Sequence, residues 1–97
     1  MPRTVDAQEA LQLGLVTQVV PAAELAAAVA ALAGRLAAGP TLAYGSIRNA
    51  VAFGSAAPLS DALAREAEYM AFTGATADHQ AAVAAFLAKE KPTFTGR

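Results

Sequence analysis

Ninety-seven residues permit one domain, and its composition is lopsided: 56% hydrophobic, 15% charged, with no Trp and six aromatics. A net charge of −1, with acids and bases scattered, lays out no field for nucleic acid or an anionic membrane. The absence of Cys excludes disulfide and thiolate chemistry and is compatible with a reducing cytoplasm. Alanine supplies most of the apolar count, which favours helix but gives each side chain little area to bury. Ordering a residue costs about 1.5 kcal/mol, against roughly 25 cal/mol gained per Å² of apolar area removed from water. Small side chains close that balance poorly in isolation, so the composition predicts apolar surface completed by another chain or by further parts of a larger protein.

Met1-Pro2-Arg3-Thr4 leads straight into a helix cap rather than into the apolar run of a signal peptide. Asp6-Ala7-Gln8-Glu9 has the pattern of a reciprocal cap, Asp6 accepting the Glu9 N–H and Glu9 reaching back to the Asp6 N–H. Ala10, Leu11 and Leu13 carry a short helix to Gly14, suited to the left-handed exit. Leu15 to Val20 is largely β-branched and stops at Pro21, which predicts one short strand-like segment. Pro21 opens a second helix, where Leu25, Val29, Leu32 and Leu36 form one stripe running to about Ala38.

Gly39-Pro40 breaks that helix, and a third is predicted from about Thr41 to Phe53, with Ala43, Ile47, Ala50 and Val51 on its buried side. Gly45 inside it points to a close neighbour. Pro58-Leu59-Ser60 starts a fourth helix with Ser60 as its cap, ended by Thr73-Gly74; Leu59, Leu63, Ala67 and Met70 share a face. Thr76-Ala77-Asp78 starts a fifth, with Val83, Phe86 and Leu87 as its apolar strip and Lys89-Glu90-Lys91-Pro92 as its end. The tail Thr93 to Arg97 is too short to hold structure unless Phe94 docks. The window Ala22 to Ala38 contains Glu24 and Arg35 and is mainly alanine, too weakly apolar for a membrane span. The expectation is a soluble, all-α protein of about five helices.

Little in these elements carries chemistry. Glu66 and Glu68 diverge by about 200° on a helix and cannot share a substrate. Asp61 and Arg65 are spaced for an ordinary surface pair. His79, the one histidine, lacks the further ligands a metal site needs, and its place in a first helical turn favours a surface role. The seven glycines never form a phosphate-binding loop after a strand. No catalytic residue and no metal ligand is therefore assigned. Phe86 and Lys89 stand three apart near a helix end, an aromatic beside an ammonium, which can hold a flat base and an attached phosphate. On spacing alone a core Phe and a surface Lys is the more frequent outcome.

The opening and closing stretches alter that weighting. Ala7 through Pro21 resembles the segment that follows the catalytic core of the enoyl-CoA hydratase/isomerase (crotonase) family. Leu36-Ala37-Ala38-Gly39-Pro40-Thr41 resembles that family's helix break, and Leu59 through Ala67 its next helix. Thr76-Ala77-Asp78 and Ala85 through Gly96 resemble its closing helix and tail. The pieces come in the family's order over nearly the whole chain. The resemblance implies that residues 1–97 form a C-terminal helical domain for covering the active site and for oligomer assembly, as a trimer or dimer of trimers. It also implies that the β-β-α spiral carrying the backbone oxyanion donors and acid–base glutamates lies outside this chain.

By the same resemblance Phe86 and Lys89 match an aromatic and a lysine that contact the CoA nucleotide of an acyl-CoA substrate. No cofactor is implied, since the CoA belongs to the substrate. The chain departs from the family pattern at Ala81-Ala82, where Glu-Gly is frequent, and at Arg48, where Lys is common. Glu90 between Lys89 and Lys91 replaces a usual cation and removes positive charge beside the implied phosphate contact. Two further readings stay open: a free-standing helical interaction module that binds no CoA, and a family member with isomerase, hydrolase or dehalogenase chemistry.

Overall fold

Every regular element in the computed structural model, which describes residues 2–97, is a helix: α1 (Ala7–Gln12), α2 (Leu25–Ala37), α3 (Thr41–Gly54), α4 (Leu59–Gly74) and α5 (Ala77–Ala88). A single 3-10 turn, Ala22–Glu24, precedes α2. The chain divides into two compact units, Met1–Ala33 and Gly34–Arg97, with α2 running across the division.

In the first unit Asp6 caps α1 as its sequence position requires, its carboxylate accepting the Glu9 N–H at 2.8 Å. The reciprocal half of the cap does not form. Arg3 takes the Glu9 carboxylate in a bidentate pair, its Nη1 donating to Oε2 at 2.7 Å and its Nη2 to the other oxygen. A two-pronged charged donor outcompetes one backbone N–H for the same carboxylate. The pair draws the Arg3 pKa up and the Glu9 pKa down. At the other end Gly14 adopts φ 71°. The Leu15 N–H reaches the Ala10 carbonyl at 2.9 Å and the Gly14 N–H the Leu11 carbonyl at 3.1 Å, the paired bonds of a left-handed helix exit. The expected strand does not appear: Leu15 to Val20 is irregular, because a strand needs a partner's backbone groups and no described residue supplies them.

In the second unit α3 packs on α4 and α4 on α5. The α3–α4 approach is close where Gly54 faces the Ala62 methyl and where the Arg65 guanidinium lies 5.2 Å from the centre of the Phe53 ring. Arg65 pairs with Glu68 at 3.0 Å rather than with Asp61, so its charge is already engaged one turn onward. Ser60 does not cap α4. The helix starts two residues earlier than a Ser60 cap requires, with Pro58 at the cap position, and the Ser60 hydroxyl turns to Asp61. Near the end of α4 the Thr73 hydroxyl donates back to the Tyr69 carbonyl at 2.9 Å, and the last turn runs through Gly74 to Ala75. Thr76 then caps α5 by accepting the His79 N–H at 3.1 Å.

No apolar side chain among the described residues is buried; the buried residues are Ser46 and Asp78. The stripe Leu25, Val29, Leu32 and Leu36 is exposed throughout. On α3 the supposed buried side is half-buried at Ala43 and Ala50 but open at Ile47 and Val51, 61% and 68% exposed. No described residue beyond its own helix backbone and chain neighbours lies within 4 Å of where a Cβ would stand on Gly45, so the close neighbour read from that glycine is not found among the described residues. The apolar stripes follow helical spacing, but no described residue covers them, so the expectation of a buried side on α3 fails at Ile47 and Val51.

Replacing Gly14 with Ala places a Cβ in a left-handed backbone and should cost roughly 1–2 kcal/mol. Urea denaturation followed by circular dichroism checks this, with Gly34→Ala, inside α2 and unhindered, as the contrasting substitution expected to stabilise.

Candidate functional site: the α5 exit and the returning tail

Phe86 and Lys89 both lie at the exit of α5. Phe86 is on the last turn and 80% exposed. Lys89 is the first residue outside the helix, with φ 58° and ψ 34°, the one non-glycine residue with positive φ among those described. Its N–H donates to the Phe86 carbonyl at 3.1 Å, and the Glu90 N–H reaches the Ala85 carbonyl at 2.8 Å. The two residues are thus joined through the helix cap. A left-handed residue leaves the helical spiral, however, so the simple rule that positions three apart share a face stops at Lys89. Lys89 makes no ion pair among the described residues. An exposed aromatic ring and an unpaired ammonium therefore flank one chain reversal.

That reversal sends the tail back along α5. Phe94 is half-buried in a hollow of about 290 Å³ shared with Pro40, Leu42, Ala43 and Ala82. Beyond it the Asp78 carboxylate receives three hydrogen bonds: the Thr95 N–H at 2.7 Å and Thr95 hydroxyl at 3.0 Å on Oδ1, and the Gly96 N–H at 2.8 Å on Oδ2. The Asp78 N–H in turn donates to the Arg97 carbonyl at 2.8 Å. The condition set by sequence, that the tail is ordered if Phe94 docks, is met. The backbone N–H of Thr95 is the largest influence holding the Asp78 carboxyl below the usual carboxylate range, joined by Gly96 and the Thr95 hydroxyl against the opposing effect of burial.

Sequence reasoning assigned Asp78 only to the helix N-terminus. Its partners are 17 and 18 residues away, and nothing local in the sequence marks that pairing. His79 is exposed and offers its backbone N–H to the cap. Among the described residues no group of three or more His, Asp or Glu could hold a metal ion. No single described helix is long and apolar enough to cross a membrane. A second hollow, about 420 Å³, lies between α3 and α4, lined by Ile47, Val51 and Met70 with Glu66 and Tyr69 at its polar side.

The family model for enoyl-CoA hydratase/isomerase matches residues 1–97. A protein from Rhodobacter capsulatus assigned as an enoyl-CoA hydratase is 38% identical over 93 residues, covering 96% of this chain and 36% of its own length. The 1,2-epoxyphenylacetyl-CoA isomerase of Escherichia coli is 37% identical over 91 residues, covering 94% and 35%. Among solved structures, one from Mycobacterium abscessus assigned as an enoyl-CoA hydratase/isomerase superposes with TM-score 0.95 at 46% identity, over 98% of this chain and 36% of that one. A Geobacillus kaustophilus structure titled an enoyl-CoA hydratase gives TM-score 0.92 at 34% identity, with the same coverage. The chain therefore spans about a third of the length of the curated relatives it matches.

The depressed Asp78 pKa fixes the acid behaviour of the tail. A carboxyl whose pKa is lowered by folding contributes fully above its unfolded value, about 3.9, and loses that contribution as pH falls through the folded value. The amide chemical shifts of Thr95 and Gly96 should hold steady from neutral pH to about 4 and move together below it. Movement of those shifts between pH 5 and 7 would contradict the assignment.

Proposed function

The chain belongs to the enoyl-CoA hydratase/isomerase family, and we propose from this that it is the C-terminal helical part of an enzyme acting on acyl-CoA thioesters. In this reading the reacting carbonyl is held by backbone N–H donors that stabilise an enolate oxyanion in the remainder of the protein. The proton-transfer carboxylates also belong to that remainder. Residues 1–97 contribute subunit packing within a homo-oligomer, of three subunits or a pair of trimers, together with contacts to the CoA nucleotide. The enzyme works in the cytoplasm and needs no cofactor beyond the CoA carried by its substrate.

The observation that carries this reading is the inverted burial. Faces that the sequence marks as apolar by strict helical spacing stand open, and no apolar side chain of the described residues is buried. Such faces are stabilising only when something covers them. The relatives are roughly three times as long, which supplies a body of suitable size. Phe86 and Lys89 support the nucleotide role: the ring is free to stack, and the ammonium has no ion-pair partner in the described chain. Hydration, isomerisation and the other thioester chemistries differ in the groups around the carbonyl, which this reading places upstream.

The test is calorimetry of CoA binding to the full-length protein. Phe86→Ala and Lys89→Ala should each weaken CoA binding about tenfold, roughly 1.4 kcal/mol, with little change in folding, since Phe86 is exposed. Unchanged affinity in both variants would favour a helical interaction module instead. The 97-residue chain alone should show no turnover of crotonyl-CoA.

A further inference from the structure

The returning tail has limited slack. From Asp78 to Lys89 the helix rises roughly 16 Å. The six residue steps back from Lys89 to Thr95 reach about 21 Å when fully extended. The tail must also step off the helix surface and seat Phe94 beside Pro40, Leu42 and Ala82. It is therefore a strap drawn along α5, anchored at one end by the backbone cap at Lys89 and at the other by the Asp78 carboxylate. A lysine takes the left-handed conformation unwillingly. Here that conformation is the point at which the chain reverses to meet its second anchor.

We propose that Asp78 is a positioning residue for the Phe86–Lys89 corner: by holding Thr95 and Gly96 it keeps the strap tight and fixes the left-handed reversal at Lys89. This rests on the reading that Phe86 and Lys89 contact CoA. Asp78 and Lys89 are at opposite ends of α5, so their link is mechanical, through the strap, and involves no contact between them. Asp78 touches neither ligand nor reacting atoms in this assignment. With the anchor gone, Lys89 relaxes to a right-handed conformation or frays, and its ammonium no longer has one defined position relative to Phe86.

The experiment is a double-mutant cycle on the full-length protein, reading CoA affinity by calorimetry and strap order by hydrogen–deuterium exchange over residues 90–97. Asp78→Asn keeps the size of the side chain but turns an NH₂ toward one of the two backbone N–H donors. It should raise strap exchange and weaken CoA binding about fivefold. In a Lys89→Ala background the same substitution should leave CoA affinity within twofold, because there is no ammonium left to misplace. Thr95→Pro, which removes the Thr95 N–H and hydroxyl donors from the other side of the clamp, should reproduce both effects if Asp78→Asn folds poorly. Faster strap exchange with unchanged CoA affinity would overturn the proposal, as would equal losses in the two backgrounds. If Lys89→Ala and Phe86→Ala themselves leave CoA binding intact, it is the nucleotide-site reading that has failed.

Discussion

Water is a poor partner for the side chains these helices present. Leu25, Val29, Leu32 and Leu36 on α2, Ile47 and Val51 on α3, and Leu59, Leu63 and Met70 on α4 all obey helical spacing, and all are open. Burying one such side chain is worth about 1.5–3 kcal/mol; leaving it exposed forfeits that and invites association. A chain of 97 residues rich in alanine has little large apolar area to begin with. It keeps that area on outer faces rather than gathering it into an interior of its own. The organisation makes physical sense if the interior is shared with a larger body, which is what membership in a family of longer proteins supplies.

Local structure is correspondingly self-sufficient. Helix ends are fixed by groups close in sequence: Asp6 on Glu9, Thr76 on His79, Gly14 at the α1 exit. Those features are made by groups within a few residues of one another and draw on no core. Among the described residues of the second unit, the long-range side-chain hydrogen bonds all go to one group, the Asp78 carboxylate gripping Thr95 and Gly96. Charge-assisted bonds to backbone N–H groups are among the stronger hydrogen bonds available. They order a tail that Phe94 alone would hold by one half-buried ring.

Legibility in the sequence followed the same divide. Five helices and most of their limits could be read, because proline, glycine, caps and apolar spacing act within a few residues. Ser60 does not cap α4 because Pro58 already sets the start of the helix two residues earlier. Glu9 was misjudged because Arg3, six residues away and in a non-helical segment, offers it two donors at once. Leu15 to Val20 has the residues of a strand, yet strand formation is decided by a partner and not by propensity. For the candidate site, Phe86 and Lys89 stood out by type and spacing, strengthened by the family's closing motif. Neither the left-handed turn at Lys89 nor the hold of Asp78 on the tail has a local signature.

The central claim is that the outer faces of α2, α3 and α4 are an interior in waiting. Hydrogen–deuterium exchange on the 97-residue chain alone and on the same residues within the full-length protein tests it most directly. The account predicts rapid exchange of α3 and α4 amides in the isolated chain and strong protection in the full-length protein, whereas the Asp6 and Thr76 caps change far less. Equal, strong protection of α3 and α4 in both would contradict it.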